Sequence, residues 1–184
     1  MLGIALELAA HDPTYEDVAT KFFEHFLQIA HAHNTQDLWD EQDGFFYDVL
    51  RVPGMPDAPL KVRSAVGLIP LFAIELAEPE LLELLPDFGR RVQWFLRHRP
   101  ELCTNVFLDV DGRRMLSVLS PERLKRVLGY LLDESEFLSP HGIRSLSKHH
   151  ADHPVTLELG GELHAIAYEP GESRSGLFGG GRQW

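Results

Sequence analysis

Residues 2–34, LGIALELAAHDPTYEDVATKFFEHFLQIAHAHN, decide the fold class that the sequence predicts. Residues 2–10 have the composition of a helix, and residues 11–14 break it. Thr14, with an acidic residue in the turn that follows, predicts the N-cap of a second helix. Apolar residues then recur at helical spacing: Val18, Phe22, Phe26, Ile29 and Ala30. We therefore expect an antiparallel pair of helices joined by a short turn.

The rest of the chain predicts further helices separated by long irregular loops. The run from Val66 to Ile74 is apolar nearly all round and is typical of a buried helix. Residues 79–85, 87–98 and 121–132 carry further helical signals. Gly160-Gly161 lies between two apolar runs and predicts a small β-hairpin near the C-terminus. Successive helix pairs with long loops predict an all-α toroid.

Charge and composition exclude several classes of protein. The formal net charge is -11, which argues against nucleic-acid and anionic-membrane partners, because both need a basic face. The apolar N-terminal stretch is too short to span a membrane and lacks the basic front of a signal peptide. The one cysteine, Cys103, rules out an internal disulfide framework and fits a reducing, cytoplasmic location.

Most familiar site motifs are absent from the sequence. It contains no dinucleotide or phosphate loop, no HExxH, no pair of cysteines and no esterase elbow. The histidines at 149, 150 and 153, with Asp152, fit no standard metal spacing, so we expect a solvated loop rather than a metal site. No cofactor is predicted.

Two clusters mix carboxylates with aromatic side chains, which is the combination that sugar sites use. Aromatic faces stack on sugar rings, and carboxylates, arginines and amides bind hydroxyls. The first cluster consists of Trp39, Asp40, Asp43, Phe46, Tyr47 and Asp48, and the second of Glu169, Glu172, Phe178 and Trp184. Capping and salt bridging are the structural alternative for both.

Six segments of the chain resemble one family of enzymes. They are Ala5–Ala30, Leu38–Leu50, Leu60–Ala73, Leu85–Leu102, Leu131–His150 and Tyr168–Gly180, which are spread along nearly the whole sequence. In these strings the chain resembles the bacterial branch of glycoside hydrolase family 63, which includes mannosyl-oligosaccharide glucosidase-like and mannosylglycerate hydrolase-like proteins. The resemblance implies that residues 1–184 are part of one (α/α)6 catalytic domain.

The same resemblance implies an inverting α-glycosidase acting on α-linked glucosyl or mannosyl units of oligosaccharides or small glycosides. In that family the general acid, an aspartate, precedes the segment that matches Met1, and the general base, a glutamate, follows the one that matches Trp184. We therefore expect no catalytic residue within this chain and no turnover by the chain alone. The resemblance therefore implies a family of enzymes, but a chain that lacks both catalytic carboxylates of that family.

The resemblance also implies substrate contacts. Trp184 matches a tryptophan that faces the sugar, Tyr47 and Asp48 match a site loop, and Arg63 matches an arginine near the aglycone. Further residues lie on loops at the mouth or wall of the site: Gly142, Arg144, Ser145 and Glu172. For Asp48 and Arg144, pinning a loop is an equally good interpretation.

Two other interpretations remain open. The chain could be a non-catalytic helical sugar-binding or scaffold module, which should be a monodisperse monomer that binds sugar. It could also be a helical adaptor for protein partners, although no apolar groove is marked in the sequence. If it is a part of a glycosidase, the remainder of the same domain is its expected partner, and apolar helix faces should be exposed without it.

Overall fold

A computed structural model describes residues 1–54, 56–108 and 113–170 of the chain. The described part contains five α-helices: α1 (Leu2–His11), α2 (Glu16–Thr35), α3 (Pro79–Leu84), α4 (Pro86–His98) and α5 (Pro121–Leu132). Short 3-10 helices span Pro13–Tyr15, Ala65–Phe72, Pro100–Leu102 and Lys148–Ala151. The strands are β1 (Trp39–Asp40), β2 (Phe45–Phe46), β3 (Asp48–Leu50), β4 (Ala58–Leu60), β5 (Ile74–Ala77), β6 (Val106–Leu108), β7 (Arg114–Ser117), β8 (Leu138–Ser139), β9 (Gly142–Ile143), β10 (Val155–Leu159) and β11 (Glu162–Ile166).

The prediction of an all-α chain, a partial (α/α)6 toroid, is wrong. Of the described residues, 48% are helical and 22% lie in strands, which form five small antiparallel sheets. The fold is therefore mixed α/β. The strands are two to five residues long and too short to show a clear alternation of apolar and polar residues.

The apolar run from Val66 to Ile74 shows why the helical interpretation failed. Pro70 has no amide hydrogen and disfavours a continuous α-helix, and the segment Ala65–Phe72 instead forms a 3-10 helix. Ile74 begins strand β5, which pairs with β7 some forty residues later in the chain. A local apolar pattern does not reveal such a distant strand partner.

The chain divides into two compact units. Among the described residues, unit 1 consists of Met1–Gln36 and Ala73–Ser120, and unit 2 consists of Asp37–Phe72 and the residues from Pro121 to 170. The prediction that residues 1–184 belong to one catalytic domain stays a prediction.

The first two helices of unit 1 form as predicted, but the cap between them differs. Helices α1 and α2 are joined by the 3-10 turn Pro13–Tyr15 and pack against each other. Thr14 is not the cap: the Asp12 carboxylate accepts hydrogen bonds from the Thr14 amide at 3.0 Å and the Thr14 hydroxyl at 2.8 Å. Asp12 precedes a proline, so its backbone is extended and it acts as the N-cap of the 3-10 turn, whereas α2 itself follows Tyr15 without a side-chain cap.

The core of unit 1 is built around Phe23 of α2. Its ring meets Phe88 and Phe95 of α4 edge-on, with centroids 5.7 and 5.8 Å apart. The buried Glu16 carboxylate accepts a hydrogen bond from the Phe88 amide at 2.8 Å, so α2 supplies a cap for the first turn of α4. The three-stranded sheet, in the order β5-β7-β6, contributes Leu116 to the same core.

Unit 2 contains α5, the longest 3-10 helix and four two-stranded ribbons. Phe45 and Phe137 are fully buried and stack with ring centroids 5.8 Å apart. Residues 63–65 run antiparallel beside residues 145–147, because Ser64 bridges to Leu146 and the Ala65 amide donates to the Ser145 carbonyl at 2.8 Å. This pairing brings two distant segments of the candidate site together.

The predicted β-hairpin forms as β10 and β11. Five residue pairs, from Val155–Ile166 to Leu159–Glu162, register antiparallel. Gly160 and Gly161 form the turn with φ of 62° and 83°. Two positive φ values are what a two-residue type I′ hairpin turn requires, so the glycines explain the turn. In the part of the chain that the structure describes, no helix has the length and apolarity needed to cross a membrane.

Candidate functional site

A tight turn between β1 and β2 holds Asp43. The Gly44 amide donates to the Asp40 carbonyl at 2.7 Å, and the Asp43 amide donates to the Asp40 carboxylate at 2.8 Å. Gly44 has a φ of 68°, and a Cβ at this position would meet the Arg126 guanidinium. A side chain at Gly44 would therefore be strained by the backbone conformation, and the end of the Arg126 side chain would have to move to make room for it.

Lys61 follows strand β4 and lies against the same turn. Its Nζ is 2.7 Å from Asp40 and 3.0 Å from Asp43, so one ammonium bridges two carboxylates. The backbone amide of Asp43, and after it Lys61, lowers the pKa of Asp40, while the two aspartates raise the pKa of Lys61. Asp40 and Lys61 are therefore both charged at neutral pH.

Tyr47 continues this arrangement into the interior of unit 2. It is 6% exposed and packs against Phe45, and its hydroxyl donates to the Asp43 carboxylate at 3.1 Å. Burial raises the pKa of Tyr47 to about 12, although a hydrogen bond from Arg63 opposes the shift. The hydroxyl therefore stays protonated and accepts a hydrogen bond from Nε of Arg63 at 3.4 Å.

Arg63 connects Tyr47 to Glu136. Its Nη1 lies 2.5 Å from Oε1 of Glu136, with 16% of the arginine side chain and 12% of the glutamate side chain exposed. The Ser147 hydroxyl donates to the other oxygen of Glu136. The Arg63 backbone amide donates to Nε2 of the buried His150 at 2.9 Å. Backbone pairing of residues 63–65 with 145–147 thus fixes the arginine beside its carboxylate.

Tyr130 of α5 completes the cluster. The Arg63 guanidinium lies 5.0 Å from the centre of the Tyr130 ring, and the Tyr130 hydroxyl donates to the Asp43 carbonyl at 2.5 Å. We call Asp43, Tyr47, Arg63, Tyr130 and Glu136 the Arg63 network. It joins four loop residues and one helix residue of unit 2 into one network with an acid at each end.

The Arg63 network offers chemistry suited to binding polyhydroxylated ligands. A guanidinium carries five N–H donors in a planar fork, and carboxylates are strong acceptors. Because Arg63, Glu136 and Asp43 are partly shielded from water, their hydrogen bonds to a ligand would be stronger than those of exposed groups. Nothing in this geometry assigns a nucleophile or a general base.

Trp39 does not present a free stacking face. Its ring centre is 4.7 Å from that of Phe46, and the guanidinium of Arg123 lies 4.7 Å above it. The neighbouring Trp39 indole N–H, and after it the Arg123 guanidinium, lower the pKa of Glu41. The ring of Trp39, which belongs to the first predicted sugar cluster, is therefore already packed against other protein groups.

Arg144 is buried, with 6% of its surface exposed. Its Nη1 donates to the carbonyls of Glu134 at 2.9 Å and Glu136 at 3.3 Å, and also to the carbonyl of Leu138. Its Nε donates to the Tyr168 hydroxyl at 3.3 Å. The arginine thus holds the turn that carries Glu136, which is the loop-pinning role that the sequence left open.

Other predicted contact residues lie around the network. Asp48 is exposed on β3 opposite Leu60, one residue beyond Tyr47. Gly142 lies in β9 with a φ of 133°, and its carbonyl accepts from the Ser139 hydroxyl at 2.8 Å. The Ser145 carbonyl joins the pairing that positions Arg63. Their roles as sugar contacts stay predictions.

Glu172 and Trp184 lie outside the described residues, as does Phe178 of the second predicted cluster. Their expected roles at the wall of the site stay predictions.

In the loop that carries His149, His150 and His153, the histidine side chains contact other groups of the protein. His150 donates from Nδ1 to the His153 carbonyl at 2.9 Å, which leaves Nε2 to accept from Arg63. The rings of His149 and His153 stack with centroids 4.2 Å apart. Across the described ranges, no group of three or more His, Cys, Asp or Glu residues could hold a metal ion.

Sequence reasoning named Tyr47 and Arg63, but it left Lys61, Tyr130 and Glu136 without a role. Asp43 belonged to a predicted cluster, and its spacing to Tyr47 within one turn-rich segment was the usable signal. Glu136 lies in the segment Leu131–His150 that carries Arg144, but its partner Arg63 is 73 residues away. Only the backbone pairing of the two segments reveals that contact.

Comparison with known proteins gives one informative relationship. Over 205 aligned positions the chain is 43% identical to "Uncharacterized protein YMR196W" of Saccharomyces cerevisiae. The alignment covers 100% of this chain and 19% of the yeast protein, so the chain spans about a fifth of the length of this curated relative. No family model matches the chain, and no solved structure matches it. The name of the yeast protein states no activity.

Proposed function

We propose that this chain is a substrate-contacting part of an inverting α-glycosidase that hydrolyses α-linked glucosyl or mannosyl units of oligosaccharides or small glycosides. The observation that carries the proposal is the Arg63 network, in which a guanidinium, two phenols and two carboxylates meet within one unit. The resemblance of residues 38–50, 60–73 and 131–150 to glycoside hydrolase family 63 supports the same function, because these segments contain every member of the network except Tyr130.

Hydrogen bonding gives the physical reason. A sugar offers several hydroxyls that both donate and accept, so a site that binds it needs fixed donors beside fixed acceptors. Arg63 donates, Asp43 and Glu136 accept, and Tyr47 does both. Their mutual hydrogen bonds hold them in place before a ligand arrives, which reduces the entropy cost of binding.

The network residues are proposed as binding groups and not as catalysts. Both carboxylate oxygens of Glu136 are already hydrogen-bonded, one to Arg63 and the other to Ser147, which suits a positioned binding group. The family resemblance assigns the general acid and the general base to segments of the family that this chain does not match. An inverting mechanism needs both carboxyls, about 6.5–9.5 Å apart with water between them.

We further propose a cytoplasmic location, supported by the single cysteine, Cys103, which is buried. The proposed ligand is an oligosaccharide or small glycoside. The charge of -11 supports neither nucleic acid nor an anionic membrane as a partner.

Calorimetric titration of the purified chain with methyl α-glucoside and methyl α-mannoside tests the proposal. We expect saturable binding to one of them, weakened about tenfold or more by Arg63→Lys, because lysine lacks the planar fork. The matched control is Arg51→Lys, since Arg51 is exposed and forms an ion pair with the exposed Asp57. Absence of binding, or equal weakening by both variants, would contradict the proposal.

Hydrolysis separates the enzyme from the non-catalytic sugar-binding module. The chain alone should release no phenol from an aryl α-glucoside. A chimera of the yeast relative in which this chain replaces the aligned segment should release it. Sugar binding by that chimera without hydrolysis would favour the sugar-binding module instead.

A further inference from the structure

Two short helices consist almost entirely of apolar residues, so every side of each helix is largely apolar. Helix α1, LGIALELAAH, has only Glu7 and His11 as polar residues, and the 3-10 helix AVGLIPLF has none. A helix that is apolar all round is normally covered all round. Both helices are instead covered on one side only.

In unit 1, α1 buries Leu2 and Leu6 in the core. On its outer side Met1, Ile4 and Leu8 are 75%, 61% and 43% exposed. These three residues recur at spacings of three and four and form one face, which we call the α1 row.

In unit 2, the 3-10 helix Ala65–Phe72 buries Leu68 and Leu71. Val66, Ile69 and Phe72 are 53%, 57% and 75% exposed. Because a 3-10 helix has three residues per turn, these side chains lie directly above one another. We call them the 3-10 row.

We propose that the α1 row and the 3-10 row are contact surfaces for polypeptide that corresponds to the four fifths of the yeast relative outside the alignment. The chain aligns along its whole length at 43% identity but makes up 19% of that protein, so the relative has ample chain to cover both rows. The occupant is an apolar face of that polypeptide. This inference does not depend on sugar binding.

Charge argues against a second copy as the occupant. Each copy carries a net charge of -11, so pairing two copies would bring like charges together. Isolated exposed apolar residues are ordinary on protein surfaces, but two rows of three are unusual.

The experiment compares the same substitutions in two contexts. The contexts are the 184-residue chain alone and the yeast relative with this chain in place of its aligned segment. The test variants are Ile4→Glu and Ile69→Glu, 61% and 57% exposed in the chain. The matched controls are Ile29→Glu and Leu132→Glu, which are 62% and 64% exposed but belong to neither row.

In the chimera, the test variants should lower the thermal midpoint by several degrees, because a charge is forced into a covered apolar face. The controls should leave it within about a degree. In the chain alone, the test variants should reduce light scattering and binding of an apolar-surface dye without lowering the midpoint.

Equal tolerance of all four variants in the chimera would overturn the proposal. A discrete dimer of the chain alone that the test variants dissociate would identify a second copy as the occupant and would also overturn it. The measurements on the chain alone test the proposal without the chimera. If the chain alone is a monodisperse monomer that binds no dye, the two rows are not exposed contact surfaces.

Discussion

Glu136 holds the guanidinium of Arg63 in place through an ion pair. Replacing it by glutamine keeps the shape but removes the charge that faces Arg63 and accepts from Ser147. We expect Glu136→Gln to lower the free energy of unfolding by about 1.5–3 kcal/mol, the usual worth of a hydrogen bond to a charged group. Urea denaturation measures the change.

The control for this substitution is Glu134→Gln, two residues earlier in the same turn. Glu134 is exposed, and its described contact to Arg144 uses the backbone carbonyl, which the substitution retains. Its effect should stay within about 0.5 kcal/mol. If the two variants unfold alike, the Arg63–Glu136 pair does not stabilise unit 2.

His149 makes the stability of unit 2 depend on pH. Burial, and after it the charge of Arg63, lowers the pKa of His149 below its ordinary value of 6.5, while Glu136 opposes this. The unfolded chain therefore binds the proton more readily than the folded chain. The contribution of His149 is fully present above pH 6.5 and is lost as pH falls through the lower folded pKa.

An NMR titration of the His149 ring signals in the folded chain checks this directly. The midpoint should fall below 6.5, and stability should decline as the solution is acidified through that range. His149→Gln should make the decline shallower. A midpoint at or above 6.5 would mean that burial does not govern this ring.

At the scale of elements, two glycines of unit 2 should respond oppositely to the same change. Gly44 has a φ of 68° and faces the Arg126 guanidinium, whereas Gly129 lies within α5 with open space where a Cβ would go. Gly44→Ala should destabilise by about 1–2 kcal/mol, the cost of a left-handed backbone with a side chain. Gly129→Ala should stabilise by about 0.5–1 kcal/mol, because alanine favours helix.

Thermal and urea unfolding of both variants give the comparison. The Gly44 variant should also disturb sugar binding, because the turn that holds Asp43 would shift. The two changes in the free energy of unfolding need not be equal in size. If Gly44→Ala left the free energy of unfolding unchanged, the β1–β2 turn would not be under conformational constraint.

Secondary structure was predictable where its signals are local. Helix α4 begins at Pro86 and α5 at Pro121, each with proline in the first turn and an apolar stripe, and the sequence indicates both. The Gly160-Gly161 turn likewise carries its own backbone requirement. Strand β5 could not be predicted in this way, because its partner β7 is distant and its residues continue an apolar run.

At the scale of the whole molecule, contacts in the candidate site were predictable where they are local in sequence and not where they join distant segments. Tyr47 and Asp43 are four residues apart and meet through one turn, so their contact was within reach of sequence reasoning. Arg63 and Glu136 meet only because residues 63–65 pair with 145–147. The resemblance to family 63 pointed to Arg63 but did not reveal its carboxylate, and the toroid that it implied is wrong.

The central claim is that the Arg63 network binds an α-linked sugar. The most direct test follows the Nε–H signal of Arg63 by NMR while an α-linked glucose or mannose disaccharide is added to the chain. We predict that the Arg63 signal shifts and saturates while that of Arg51 stays in place. An Arg63 signal that does not move, or one that moves no more than that of Arg51, would contradict the claim.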